Sequence, residues 1–546
     1  MTITGYADLH CHPMSHLGFG GPRQGGLGFF WGKPTDPIDQ ALPCCKVAHA
    51  PLGRGGVVPS LTEKEQPNYD GYDTFVSWPR HSTVIHQQMY KDCVERAFNS
   101  GLKLIVASAV NNEMLADLYD NGYPVDSTDG TSIAAQIAGM KAFAAQCSAW
   151  MQIVTTPAEA RAAIGAGKLA VVLAIEVDSV CGGAMRRDGD LDPAKTDAIV
   201  QKYFDMGVRL INPLHLVDNA LGGTAIYDDR FNLSNHYLFA KHQNTAAEPW
   251  WYDAASVVGG GDLADVRMLL GANRGNDALI NIYGKGYPTY MKSLGLVGHA
   301  NTRTMTAAGK AFVAAMMKRG MLVDVEHMSS HTLDEAMTIA EDRTYPLVSS
   351  HTGFRGIAVP RTKTGPNDPT WVPGCANEGM RSDSQIKRLV KLGSIIGIGG
   401  HAGLVQELKI DSSKGWARGY HYARSLGVER IAIGTDMNGF PTQAGPRFFR
   451  DPLTGELKHA EATDTIRPLK YGSDLVPIVN KLLTRTALGK QSYDYNVNGL
   501  AHYGLLPDFT LDVALQLTAP DDLGDFFQSA EALIQVWETC EQLAVP

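Results

Sequence analysis

Cysteine is scarce in this chain, with eight in 546 residues, and no two stand in the C-x-x-C spacing of a zinc knuckle or redox motif. A disulfide scaffold is excluded on that count. Cys44 and Cys45 are neighbours, so a bond between them is strained and either would need a distant partner. Long apolar runs are missing too: although 44% of the residues are hydrophobic, no stretch is long enough to cross a bilayer as a helix. Positive charge is not in excess, and the formal net charge of −9 leaves no basic field for gathering phosphates. That excludes a nucleic-acid partner and favours a small-molecule substrate. The opening residues, Met-Thr-Ile-Thr-Gly-Tyr, lack the basic start and apolar segment of a secretory signal. They read as the start of a cytoplasmic chain, or of an exported one whose leader has been removed. Internal repeats and low-complexity tracts are absent as well.

What the sequence does contain is a regular series of short apolar runs bounded by turns. Eight of them, at 6–12, 102–108, 169–176, 208–214, 321–327, 345–351, 394–399 and 430–436, read as buried strands. Helical spacing fills several of the intervals, as at 158–166, 306–319 and 384–392, the last two followed by a glycine. Strands alternating with helices predict an α/β fold, and eight of them predict a (β/α)8 TIM-type barrel. Residues 1–450 form that barrel in this reading, with long loop insertions at about 13–82, rich in Gly and Pro, and about 218–298, rich in aromatics. Residues 451–546 form a C-terminal helical extension ending in a helix at 525–544, which packs on the barrel or joins two copies into a homo-oligomer.

Five of the eight runs end in a residue able to bind a cation. His10 and His12 flank Cys11, and the alternation of a strand sends both imidazoles to one face. Glu176 ends Ala-Val-Val-Leu-Ala-Ile-Glu, where a carboxylate leaving an apolar strand calls for a partner or a metal. His327, His351 and Asp436 end three further runs. Strand C-terminal ends converge on one mouth of a barrel, so the six residues are expected to share one site. Mixed imidazole and carboxylate donors suit zinc best, with manganese, iron and nickel as alternatives.

These residues resemble the amidohydrolase superfamily, and within it the membrane dipeptidase (renal dipeptidase-like) family. The resemblance is carried by Asp8-Leu-His-Cys-His12, by the run ending at Glu176, by Gly207-Val-Arg-Leu-Ile-Asn-Pro-Leu-His215, by Gly320-Met-Leu-Val-Asp-Val-Glu-His327, by Ser-Ser-His351 and by Gly434-Thr-Asp-Met-Asn-Gly439. It implies a metal-dependent hydrolase with two divalent ions, Zn2+ by preference, bridged by Glu176. One ion is then held also by His10, His12 and Asp436, the other by His327 and His351. It further implies a metal-bridging hydroxide as nucleophile, Asp436 as catalytic base, and His215 as the catalytic group that stabilises the carbonyl oxygen of the substrate. An arginine beyond the sixth strand would hold a substrate carboxylate, and Arg355 and Arg361 both stand in that stretch, with spacing favouring Arg361. His401, after the seventh strand, matches no motif.

One departure bears on substrate. The dipeptidases of this family carry His-x-Asp on the first strand, whereas this chain has His12, a neutral donor that leaves bound ions more electrophilic. The expected reaction is hydrolysis of an amide bond in a dipeptide or N-acyl amino acid. Lactone, ester or phosphotriester hydrolysis is the alternative on the same site, and a catalytically silent metal-binding barrel is a third reading. The aromatics Tyr227, Phe231, Trp250, Trp251, Tyr252 and Tyr287 either wall the pocket or anchor their insertion to the barrel.

Overall fold

The computed structural model describes residues 2–22, 28–45, 70–76, 78–118, 126–225, 227, 234–235, 238, 241–242, 252–253, 300–301, 303–358, 377–400, 412–517 and 523–544. Eight parallel strands form its centre: β1 (Tyr6–Cys11), β2 (Leu102–Asn111), β3 (Leu169–Val177), β4 (Val208–Asn212), β5 (Leu322–Val323), β6 (Val348–Thr352), β7 (Ile395–Gly399) and β8 (Ile431–Gly434). They pair in the order β5-β4-β3-β2-β1-β8-β7-β6. A parallel bridge between Asp324 and Val348, with the Val325 amide donating to the Val348 carbonyl at 2.9 Å, joins the two ends and closes the ring. A short strand, Met151–Ile153, adds to β3 outside the ring. The (β/α)8 expectation is met, and each of the eight expected strands is present.

The strands end earlier or later than apolarity predicts, for backbone reasons. β4 stops at Asn212 because Pro213 has no N–H to continue the ladder. β5 shrinks to two residues because Asp324 turns its carboxylate back onto the Glu326 and Ser350 amides. β2 runs on to Asn111, pairing through Asn111–Val177 with β3. Metal-ligand candidates therefore lie on or just past the strand ends, in the turns of the C-terminal mouth.

The outer helices carry their own start signals. Helices α1 (Lys91–Phe98), α2 (Asp129–Gln146), α3 (Pro157–Gly165), α4 (Thr196–Asp205), α5 (Ala307–Lys318), α6 (Ser330–Arg343), α7 (Asp383–Lys391) and α8 (Ser413–Ser425) surround the ring. Thr156, Thr306 and Ser329 cap α3, α5 and α6, and Ser382 with Gln385 forms a capping box on α7.

Beyond β8 the described residues form three short antiparallel hairpins, the four-residue helix Tyr495–Asn498 and two longer helices, α9 (Leu506–Gln516) and α10 (Ser529–Gln542). The hairpins are too short for alternation to announce them in the sequence. Helix α10 lies across the N-terminal mouth. The Ser529 hydroxyl accepts from the Ala7 amide, Glu531 accepts from Ile3 and Arg161, and the Cys540 thiol reaches the Pro346 carbonyl. A Cβ on Gly320, which has φ +65°, would sit 2.8 Å from the Glu541 Cα, so α10 passes where only glycine fits. Trp537 is wholly buried in this plug. Trp537→Ala is expected to cost about 3–5 kcal/mol, read as a lower urea midpoint with bound metal unchanged.

No helix among the described residues is long and apolar enough to cross a membrane.

Candidate metal centre

The first and last strands are stitched together above the barrel. The buried Asp8 carboxylate accepts from the His10 amide, the Thr435 amide and hydroxyl, and the Tyr503 hydroxyl, at 2.7–3.1 Å. The Asp436 amide donates to the His10 carbonyl at 2.8 Å, and the His12 amide to the Met437 carbonyl at 3.0 Å. This lacing carries His12 onto Asp436, with Nε2 and Oδ1 3.0 Å apart. The Cys11 thiol points the other way, toward the Val106 carbonyl, as strand alternation requires.

Glu176 sits between two groups of donors. Its Oε2 is 2.9 Å from His10 Nε2 and 3.3 Å from His12 Nε2. Its Oε1 is 2.7 Å from His327 Nε2 and 3.8 Å from His351 Nε2. The ligand atoms of His10, His12, Glu176 and Asp436 lie within 4.8 Å of one another, and so do those of Glu176, His327 and His351. All six residues are buried, and His327 Nε2 and His351 Nε2 face each other at 3.0 Å. Buried ring nitrogens and carboxylate oxygens converging on two points are the donor set that divalent cations stabilise. The residues fit a metal.

Backbone geometry supports the same positions. His327 (φ +63°) and Asp436 (φ +49°) both adopt the left-handed region, costly for residues with a Cβ and common where a site over-determines the chain. Behind the rings, the Ser108 carbonyl meets His12 Nδ1 at 2.9 Å, and the Ser350 hydroxyl meets His351 Nδ1 at 2.8 Å. Such partners fix which nitrogen faces the cation. Gly439 is required for clearance: a Cβ there would meet Asp436 Oδ1 at 1.8 Å and His12 Cδ2 at 2.7 Å. Gly439→Ala should displace these two ligands, with about a 100-fold loss of kcat/KM and less bound metal by elemental analysis.

Electrostatics show where protons stand without metal. Burial opposes charge on His12, but hydrogen bonds to Asp436 and Glu176 outweigh it and push the imidazole up to about 10. His10 is raised in the same way, against burial, by Glu176. Burial works to raise Glu176, yet His10, His327 and His215 hold it well below the usual carboxylate range. A raised imidazole keeps its proton at neutral pH, and a cation must displace that proton. Metal affinity therefore rises with pH, and calorimetry in buffers of different ionisation enthalpy should detect proton release on binding between about pH 6 and about pH 8.

His215 stands at the rim of this centre. Its Nε2 is 3.9 Å from Glu176 Oε2, and its ring packs edge-on to His327 at 4.8 Å between centroids. Its Nδ1 faces Asp178 Oδ1 at 3.1 Å. Arg355 donates from Nη2 to the Glu378 and Met380 carbonyls, both at 3.1 Å. Tyr227 places its ring 5.3 Å from that of His327, so this aromatic walls the site. Arg361, His401, Phe231, Trp250, Trp251 and Tyr287 lie outside the described residues, and Tyr252 is described only as part of a two-residue strand.

Three contributors escape the strand-end reading. Asp8 and Asp178 carry signals that period-two alternation contains, since each lies two residues from a ligand candidate on the same strand face. Asn212 pairs in register with Glu176, and its buried amide has no hydrogen-bond partner among the described residues. Only the register between β3 and β4 reveals it.

Residues 291–446 match the family model described as membrane dipeptidase (peptidase family M19). That segment is similar to the membrane dipeptidases. The matched segment contains His327, His351 and Asp436, while His10, His12 and Glu176 come from outside it. Among solved structures, an amidohydrolase from Pseudomonas aeruginosa is 12% identical, with 83% of this chain and 93% of that one covered and a TM-score of 0.41. A probable dipeptidase, PvdM, from the same organism is 11% identical, with 84% and 90% covered and a TM-score of 0.43. A metallopeptidase from Rhodobacter sphaeroides, liganded with a phosphinate mimic of the dipeptide L-Ala-D-Ala, is 12% identical, with 64% and 78% covered and a TM-score of 0.38. No relative matches among curated proteins. The chain is a metal-dependent hydrolase, similar over 291–446 to the membrane dipeptidases and with a cluster of residues placed to hold metal.

Proposed function

We propose that this chain is a binuclear metal-dependent hydrolase that cleaves the amide bond of a dipeptide or an N-acyl amino acid. The observation that carries the reading is the division of Glu176, whose two oxygens face two separate donor groups. Two divalent cations, zinc by preference, held by His10, His12, Glu176 and Asp436 and by Glu176, His327 and His351, would polarise the scissile carbonyl and acidify the attacking water.

The residues of the chain do the rest. Asp436, at the rim beside His12, takes the proton of the water as its oxygen bonds to the carbonyl carbon. It then delivers that proton to the amine nitrogen as the C–N bond breaks. His215 is drawn down by burial and up, more strongly, by Glu176 and Asp178, and with Nδ1 on Asp178 Oδ1 at 3.1 Å it presents Nε2 to the carbonyl oxygen. Tyr227 closes one side and excludes water.

A second reading, lactone, ester or phosphotriester hydrolysis, is favoured by two features. His12 removes a negative charge from the donor set, and Arg355 turns its Nη2 onto two backbone carbonyls. One panel decides between them: zinc-loaded protein with dipeptides ending in L or D residues, N-acyl amino acids, lactones and phosphotriesters. The expected result is two metal equivalents per chain and amide turnover that a chelator abolishes and zinc restores. Turnover confined to lactones or phosphotriesters selects the second reading. Metal binding without any turnover leaves a silent metal-binding barrel.

A further inference from the structure

The segment Glu176-Val-Asp178 puts two carboxylates on one face of β3 and its following turn, the second a step nearer the mouth. The first faces the metal cluster. Asp178 faces His215, and it is wholly buried. Its Oδ1 is 3.1 Å from His215 Nδ1 and takes the Leu216 amide at 3.3 Å, so it grips both the ring and the backbone beyond it. Its Oδ2 accepts from Asn112 Nδ2 at 2.8 Å.

Asn112 is itself fixed. It follows β2 directly and starts the helix Glu113–Leu118, its Oδ1 accepting from the Leu115 amide at 2.9 Å as an N-terminal cap does. The carbonyl of Asp178 is held as well, by Asn219 Nδ2 at 3.1 Å, and the same amide group reaches the Pro213 carbonyl at 3.0 Å. The Thr224 hydroxyl lies within hydrogen-bond reach of the carbonyls of both His215 and His327. The carboxylate thus has almost no freedom, and a ring bonded to it through Nδ1 must turn Nε2 toward Glu176, from which it is 3.9 Å distant.

We propose that Asp178, anchored by Asn112, is a positioning residue that locks the His215 ring with Nε2 directed at the reacting carbonyl. It acts through His215 and touches neither metal nor substrate. The assignment rests on the role given to His215 above. An imidazole can otherwise rotate between two ring orientations, and a carboxylate on Nδ1 removes that choice.

The test is a double-mutant cycle on the zinc-loaded full chain with Asp178→Ala, His215→Ala and the double variant, each checked for metal content. Asp178→Ala should lower kcat by about 100-fold with KM changed by less than about 3-fold, since the contact strengthens only in the transition state. In the His215→Ala background the same substitution should change kcat by less than about 2-fold. Equal losses in the two backgrounds would overturn the proposal, as would a loss of metal large enough to explain the rate. A crystal structure of zinc-loaded Asp178→Ala supplies a readout independent of turnover. The expected result is a rotated or disordered His215 ring above six undisturbed ligands; an unmoved ring overturns the assignment. Wild-type protein that hydrolyses no amide would instead defeat the reading of function, and the crystallographic result would still decide the positioning role.

Discussion

Glu176→Gln is expected to lose both cations of the proposed binuclear centre and to lower kcat/KM by about 10⁴-fold or more, because in that proposal the metals would supply the nucleophile as well as the Lewis acid. Either oxygen of Glu176 faces its own donor group, so one substitution reaches both. The amide keeps the shape of the side chain but loses its negative charge, and one of its two ends becomes an N–H donor. That end would confront either His10 and His12 or His327, at the 2.7–3.3 Å now spanned by carboxylate oxygens. Elemental analysis should find less than one metal equivalent per chain. Circular dichroism should remain that of the folded barrel, because the apolar rows of β3 below Glu176 are untouched. Two tightly bound metals in this variant would show that the carboxylate does not bridge.

Asp436→Asn separates binding from chemistry. Asparagine retains an oxygen for the cation and for His12, while losing the ability to accept a proton. Most of the metal should stay, and kcat should fall by about 10³-fold or more, in the range by which proton transfer from a positioned base accelerates such reactions. The left-handed backbone at this position favours the outcome, since asparagine tolerates φ of +49° better than other replacements. Steady-state kinetics and metal analysis on one preparation suffice. Near-wild-type kcat would remove Asp436 from the role of base and leave it a ligand only.

The two variants also test how the site is divided. If Glu176 governs both metals and Asp436 governs the proton, their effects differ in kind: the first follows added zinc, the second does not. Gly439→Ala falls between them, since its added Cβ pushes on Asp436 and His12 together.

Much of this centre is legible in the chain because strand ends in a barrel all face one way. Apolar runs ending in His, Glu or Asp carried that information for five strands, and alternation assigned His10 and His12 to the inner face against Cys11. The hydrophobic pattern also located the eight strands, with β5 the weakest: seven apolar-run residues became two in a ladder because Asp324 satisfies neighbouring amides with its side chain. The C-terminal hairpins went unread, since three-residue and two-residue strands are shorter than any alternation that could reveal them.

The residue types of the site and the direction in which they point were determined by the sequence itself, because donor chemistry and period-two geometry are local properties. Which donors share a cation was not. That depends on register between strands hundreds of residues apart, on the lacing of Asp8 to Thr435, and on left-handed turns at His327 and Asp436. The same holds for Asp178, whose value lies in the distance to His215, and for α10, which shuts the opposite mouth through contacts with residues near the N-terminus and in the middle of the chain. Closing the barrel brings these groups together, and no local pattern encodes a closure made across the whole chain.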